Sequence, residues 1–280
     1  MGYLMTAPAL LLLVLLVGYP VVMAVYFSLT DKVIGQPEHF VGLRNFIDVW
    51  QSDIFRTAFA NTFIYALSST FFKLVFGFLI ALLLNQKLRF RSQIRAAVLL
   101  PWIIPTVLSV LVWSWMLDPT FSVINYVLVN LHLVAKGPQW LSDPSWAKVS
   151  TIIVQVWRGL PYYAITFLAG LQTISPDLYE AASVDGATVL QKMRHITLPL
   201  LQPVITVVVT LSFIWAFSDL ELVWVLTRGG PVNSTHLLAT LSYNDAIFLG
   251  KLGEGSAISL YMFPVLLLMM VIYIRRLRKA

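Results

Sequence analysis

Long apolar runs, broken by short polar stretches, dominate the chain. Six runs are long enough to cross a bilayer as helices: residues 3–29, 58–84, 96–117, 146–171, 200–226 and 257–274. A spanning helix needs about 20 apolar residues. A barrel strand needs about half that, so this pattern predicts helices and not a barrel. The expected fold class is therefore an all-α integral membrane protein of six transmembrane helices.

Composition supports that class. Hydrophobic residues make up 59% of the 280 residues and charged residues only 11%, under half the usual charged fraction of a soluble domain. Cysteine is absent, which excludes disulfides and thiolate metal sites. The four histidines, His39, His132, His195 and His236, lack metal-ligand spacing. No metal site and no nucleic-acid partner are expected. The net charge of +6 clusters beside apolar segments, where anionic membrane lipid is the natural neighbour.

Basic residues predict orientation. Lys87, Arg89, Arg91 and Arg95 fill the short second connection, and Arg275, Arg276, Arg278 and Lys279 fill the C-terminal tail. With six spans these lie on one side, which the positive-inside rule makes cytoplasmic. Both termini are then cytoplasmic. The first, third and fifth connections carry turn-formers such as Gly35, Pro119, Gly229, Gly230 and Pro231 and read as outward-facing surface.

The fourth connection is unusually patterned. Ser175-Pro176-Asp177 is a helix start: a capping hydroxyl, a first-turn proline and an acid at the positive helix end. That helix is expected to run to about Asp185, where Gly186 can take the left-handed conformation. A second helix is expected over 188–197, ending at Pro199, with Val189, Met193 and Ile196 on one face. Such an apolar face needs either a partner or the protein's own core.

Glu180-Ala181-Ala182, then Asp185-Gly186, then Ile196-Thr197-Leu198-Pro199 resembles the EAA motif of ABC-importer permeases. The stretches "YPVVMAVYFSLTD", "LLPWIIPTV", "VWRGLPYY" and "WAFSDLELVWVLTRGGP" resemble the carbohydrate permeases of the MalF type. The likeness covers nearly the whole chain. It implies the MetI-like permease fold in a compact form, with residues 1–57 as an N-terminal helix and external loop and 58–280 as the permease core. It implies a coupling loop at about 172–199, with Glu180, Ala181, Ala182, Asp185, Gly186, Ile196, Leu198 and Pro199 meeting an ATPase. The implied partners are a second permease, two ATP-binding subunits, an extracytoplasmic solute-binding protein and a sugar-like substrate. The implied location is the inner membrane of a bacterial or archaeal cell. No cofactor is expected in this chain: it has no G-x-x-x-x-G-K-[ST] loop, so ATP and magnesium belong to the partners. Nor is there a nucleophile–base pair to suggest an enzyme.

Polar groups within spans are costly and point to function. Arg158 lies near mid-depth of the fourth segment, before Gly159 and Pro161, which are expected to loosen that helix. Asp219 and Glu221 lie in the fifth. Arg158 and one of these carboxylates are within reach of each other, either as a helix-locking pair or around a substrate. By position, the resemblance puts Gln155, Trp157, Arg158, Gly159, Tyr162, Ser212, Ala216, Ser218 and Asp219 on the substrate path. Ala216 replaces a polar residue of the maltose permease, which argues against maltose. Trp102, Trp113 and Trp115 read as packing or interface residues, Pro101 and Pro105 as kinks, and Lys73 has no role in this scheme. A glycerol-phosphate importer remains an alternative substrate class. An ion-gradient transporter using Lys73, Arg158 and Asp219 as relays is the alternative from another class.

Overall fold

A computed structural model describes residues 2–86 and 89–278; Lys87 and Lys279, counted above for orientation, lie outside the described residues. Among the described residues there are helices and no strands, with one isolated bridge between Thr30 and Phe40. The first span is α1 (Gly2–Leu13), a π turn (Val14–Gly18) and α2 (Tyr19–Ser28). Then come α3 (Arg44–Gln51), α4 (Asp53–Asn85), α5 (Arg91–Ile103), α6 (Thr106–Met116), α7 (Val123–Asn130) and α8 (Pro144–Gln172). The second half holds α9 (Pro176–Val184), α10 (Val189–Lys192), α11 (Leu198–Phe217), α12 (Glu221–Thr227), α13 (Leu238–Tyr243) and α14 (Leu252–Leu277).

Among the described residues, five helical runs are long and apolar enough to cross a membrane, and a sixth counts if α5 and α6 make one bent span. The long helices start where the sequence caps them. Ser52 accepts from Phe55 N ahead of α4. Asp143 accepts from Ser145 N and Trp146 N ahead of α8. These bonds satisfy amides that a helix start leaves free.

Three segments differ from the sequence expectation. Residues 96–117 do not form one rod: α5 and α6 meet at 92°. Ile104, held extended before Pro105, cannot continue the helix. Residues 200–226 are also broken. Asp219 Oδ1 accepts from Leu222 N at 3.2 Å, so its carboxylate serves the start of α12 and stops α11 at Phe217. Conversely, α8 runs unbroken through Gly159 and Pro161; the missing proline N–H deprives only the carbonyl four residues back.

The fifth connection turns inward. Gly229 and the run Ser234–Leu238 are buried, contrary to a simple surface loop. Asn61 Nδ2 on α4 donates to the carbonyls of Ser234 (2.7 Å) and His236 (3.2 Å), and Leu238 N donates to Thr62 Oγ1 at 2.9 Å. These bonds let polar backbone enter the interior. Gly229 sits at φ +83°, and a Cβ there would overlap the His236 ring. Gly229→Ala is therefore expected to cost about 1–3 kcal/mol, read as a lower midpoint in detergent unfolding of the purified protein; an unshifted midpoint would show that the loop repacks freely.

The core has two regions. One joins Phe55, Tyr65, Leu117, Phe217, Leu238 and Ile258, around α4, α12, α13 and α14. The other joins Ala81, Leu84, Tyr163, Phe167, Leu171 and Leu201, where α4, α8 and α11 cross. By contrast, the first span is almost wholly exposed along its apolar length, as a lipid-facing helix is. Its second half, α2, packs along α14, and its end is tied in by Asn45 Nδ2, which donates to the Ser28 and Thr30 carbonyls at 2.8 and 2.7 Å.

Candidate functional site

The α9–α10 corner follows its local chemistry. Ser175 Oγ accepts from Asp177 N at 3.3 Å and Pro176 opens α9. Gly186 turns the chain at φ +75° in open space. Thr188 and Gln191 form a capping box at the start of α10, with Gln191 Oε1 accepting from Thr188 N at 2.7 Å. Two cross-ties make the corner a unit: Lys192 Nζ donates to Ser183 Oγ at 2.6 Å, and the Tyr179 and Thr197 hydroxyls lie 2.9 Å apart.

The second helix does not end at Pro199. A π turn over Met193–Thr197 leads directly into α11, and its wider winding leaves room for a proline ring that an α turn would crowd. The same turn divides the expected apolar face. Ile196 packs with Tyr179 against the α4–α8–α11 core, while Val189 stays 81% exposed. Val184 (89%) and Leu190 (76%) join it. Glu180, Ala181, Asp185 and Gly186 are exposed beside them, Ala182 is half-buried, and Leu198 and Pro199 are exposed at the base. Glu180 and Asp185 make no ion pair among the described residues. The result is an apolar knob, flanked by acids, standing clear of its own core.

The corner is also joined to α5. With its amide oxygen turned toward them, Gln172 at the end of α8 accepts from Arg91 Nη2 (2.6 Å) and Arg95 Nη2 (3.0 Å). A displacement of the corner thus has a polar path into the bent α5–α6 pair.

The second candidate region lies where α4, α8 and α11 meet. Gln155, Arg158, Gly159 and Tyr162 share one face of α8, since positions three, four and seven apart align. Gln155 is buried and the other three are half-buried. Tyr162 packs between Trp102 of α5 (6.1 Å between centroids) and Trp215 of α11 (5.3 Å), and both indoles are more than half exposed. Trp102 and Trp215 were missing from the sequence-derived set. The proline-directed bend beside Trp102 was the available signal.

Trp157 points elsewhere. It meets Trp113 edge-on at 5.5 Å and lines an apolar cavity of about 590 Å³ with Phe72, Phe76 and Val149. On α11, Ser212 and Ala216 are buried on the side of Asp219. Ser218 instead lines a separate 530 Å³ cavity with Val21, Ser242 and Ser259. The structure thus brings together Gln155, Arg158, Gly159, Tyr162, Ser212, Ala216 and Asp219, and not Trp157 or Ser218.

Arg158 and Asp219 do not form a close ion pair. Asp219 Oδ2 accepts from the Tyr65 hydroxyl at 2.7 Å, a partner that is 154 positions away and invisible to local pattern. Lys73 is 3% exposed. Its stem runs across Gly159, where a Cβ would collide with it, and its amine lies 5.9 Å from the Tyr163 ring centre. No group of three or more metal-ligating side chains occurs among the described residues.

This architecture has a counterpart. The profile of the binding-protein-dependent transport system inner membrane component family matches residues 73–277. The chain belongs to that family. This permease is 36% identical over 276 residues to the trehalose/maltose transport system permease protein MalF of Thermococcus litoralis, covering 98% of this chain and 92% of the relative. It is 33% identical over 280 residues to the sulfoquinovosyl glycerol transport system permease protein SmoG of Agrobacterium fabrum, covering 99% and 90%. Its fold matches a crystal structure of a bacterial ABC transporter involved in import of the acidic polysaccharide alginate, with TM-score 0.82, 24% identity and coverage of 99% and 93%. The permease is thus an inner-membrane transport component of the ABC type with several apolar helices, in the fold expected from its motifs.

Proposed function

We propose that this permease forms half of the translocation pathway of an ATP-driven importer for a sugar-like solute, and that the α9–α10 corner is its contact with a cytoplasmic ATP-binding subunit. The observation that carries the reading is the exposed knob of Val184, Val189 and Leu190 around Gly186. Such a surface is unfavourable in water and fits a groove on a partner. Glu180 and Asp185 supply the polar rim, and Tyr179 and Ile196 anchor the corner to the permease core. The corner, the start of α5 and the end of α14 then face the cytoplasm, in agreement with Arg89, Arg91, Arg95, Arg275 and Arg276 there.

The relatives named for trehalose/maltose and for sulfoquinovosyl glycerol support a saccharide cargo. The exposed Trp102–Tyr162–Trp215 cluster offers apolar faces for a ring, and Gln155, Ser212 and Asp219 offer partners for hydroxyls. A second permease completes the path, two ATPases hold ATP and magnesium, and an external binding protein delivers the sugar. The test is reconstitution in liposomes with those partners. ATP-dependent sugar accumulation that needs all of them is expected. Uptake by this chain alone on a proton gradient, without ATP, would overturn the reading.

A further inference from the structure

The charges buried between α4, α8 and α11 do not balance. Lys73 lies midway along α4, and Arg158 lies about 21 Å along α8 from Pro144. Both act electrostatically on Asp219. Asp219 is the only carboxylate among these contacts, and it is already held by the Tyr65 hydroxyl and Leu222 N. Glu221, two residues on, is exposed and takes part in none of them. Arg158 makes no ion pair and no hydrogen bond among the described residues, and neither does Lys73. The cluster therefore carries two cations against one anion.

A guanidinium at this depth cannot face hydrocarbon without a large cost. Its half-exposed side lies one turn from Tyr162 on the same face of α8. Tyr162 is where the Trp102 and Trp215 indoles pack, so Arg158 and the residue that gathers the aromatic cluster share one face of α8. Lys73 is too buried to touch a solute, but in a low-dielectric interior it adds to the positive field at Arg158.

We propose that Arg158, reinforced by Lys73, is a subsite for an anionic group on the cargo, a carboxylate, sulfonate or phosphate carried on a sugar ring, so that the transporter prefers acidic to neutral saccharides. A planar guanidinium with free donors suits such oxyanions, which accept its N–H groups two at a time. This inference rests on the importer reading above and narrows its substrate class.

The test uses the complete reconstituted transporter. A uronate-containing disaccharide and its carboxyl-reduced analogue are each delivered by the same binding protein at saturating load, and uptake kcat/KM is compared. The wild type is expected to favour the acidic sugar about tenfold or more, the size of a charge-assisted hydrogen bond. Arg158→Gln should bring the ratio close to one, Arg158→Lys, which keeps the charge but not the paired donors, should restore only part of it, and Lys73→Met should reduce it in part. A wild-type ratio near one, or a preference that survives Arg158→Gln, overturns the anion subsite. If neutral sugar still enters with ATP in that case, the importer reading stands; if neither sugar enters with all partners present, the importer reading falls as well.

Discussion

Replacing Gly186 with proline is expected to cut ATP-driven uptake at least about tenfold. ATP hydrolysis should no longer rise when loaded binding protein is added. Gly186 turns the corner at φ +75°, and a proline ring fixes φ near −65°. The substitution must therefore re-aim α10 relative to α9, separating Val184 from Val189 and Leu190. A Cβ at this site meets nothing within 4 Å, and the amide that proline removes donates to the Ser183 carbonyl at 3.1 Å, a bond within the corner itself. The loss would then reflect misplacement of the knob and not a ruptured core. Gly186→Asn is the matching control: asparagine tolerates the left-handed region, so most of the coupling should return. Uptake at the wild-type rate in the proline variant, measured in proteoliposomes with all partners, would show that this corner does not dock on the ATPase.

The corner was largely legible in the sequence because its determinants are local. Ser175, Pro176, Gly186 and Thr188 each act on amides or dihedrals within three positions, and the structure places each cap accordingly. What escaped was the π turn over Met193–Thr197. It hides Pro199 inside a continuing helix and turns Ile196 inward while Val189 stays out. Periodicity assumes a constant turn, so one wider turn defeats it.

The bend after Ile103 was signalled by Pro105, but proline announces only that a helix stops. The 92° angle comes from where α6 finds packing. The break after Phe217 depends on the Asp219 carboxylate choosing a backbone amide, and its other oxygen meets a tyrosine on α4. Leu222 is only three positions away, but Tyr65 is 154 away and lies outside any local pattern. Carrying residues over by resemblance had a similar limit. Matching positions gave Trp157 and Ser218 along with Arg158 and Asp219, but helical geometry puts Trp157 against Trp113 and Ser218 toward α14. Position was inherited; direction was not.

The largest stability effect is expected at Gly77. A Cβ there would overlap Tyr163 Cβ and come within 3.4 Å of Ala164 N. Those atoms cannot step aside, since Tyr163 is fully buried and the amide belongs to α8 itself. Gly77→Val should force α4 and α8 apart and cost about 3 kcal/mol or more. Loss of assembled complex on size exclusion, or a large drop in the unfolding midpoint in detergent, would register it; a midpoint close to wild type would mean the two helices do not cross this tightly. Gly159 is the contrasting case on the same helix pair. Its added Cβ would meet the Lys73 stem, a flexible chain that can shift. Gly159→Ala should therefore cost only about 1 kcal/mol, most of it recovered in a Lys73→Ala background. The α4–α8 crossing is rigid at Gly77 and adjustable at Gly159. The adjustable point adjoins Arg158.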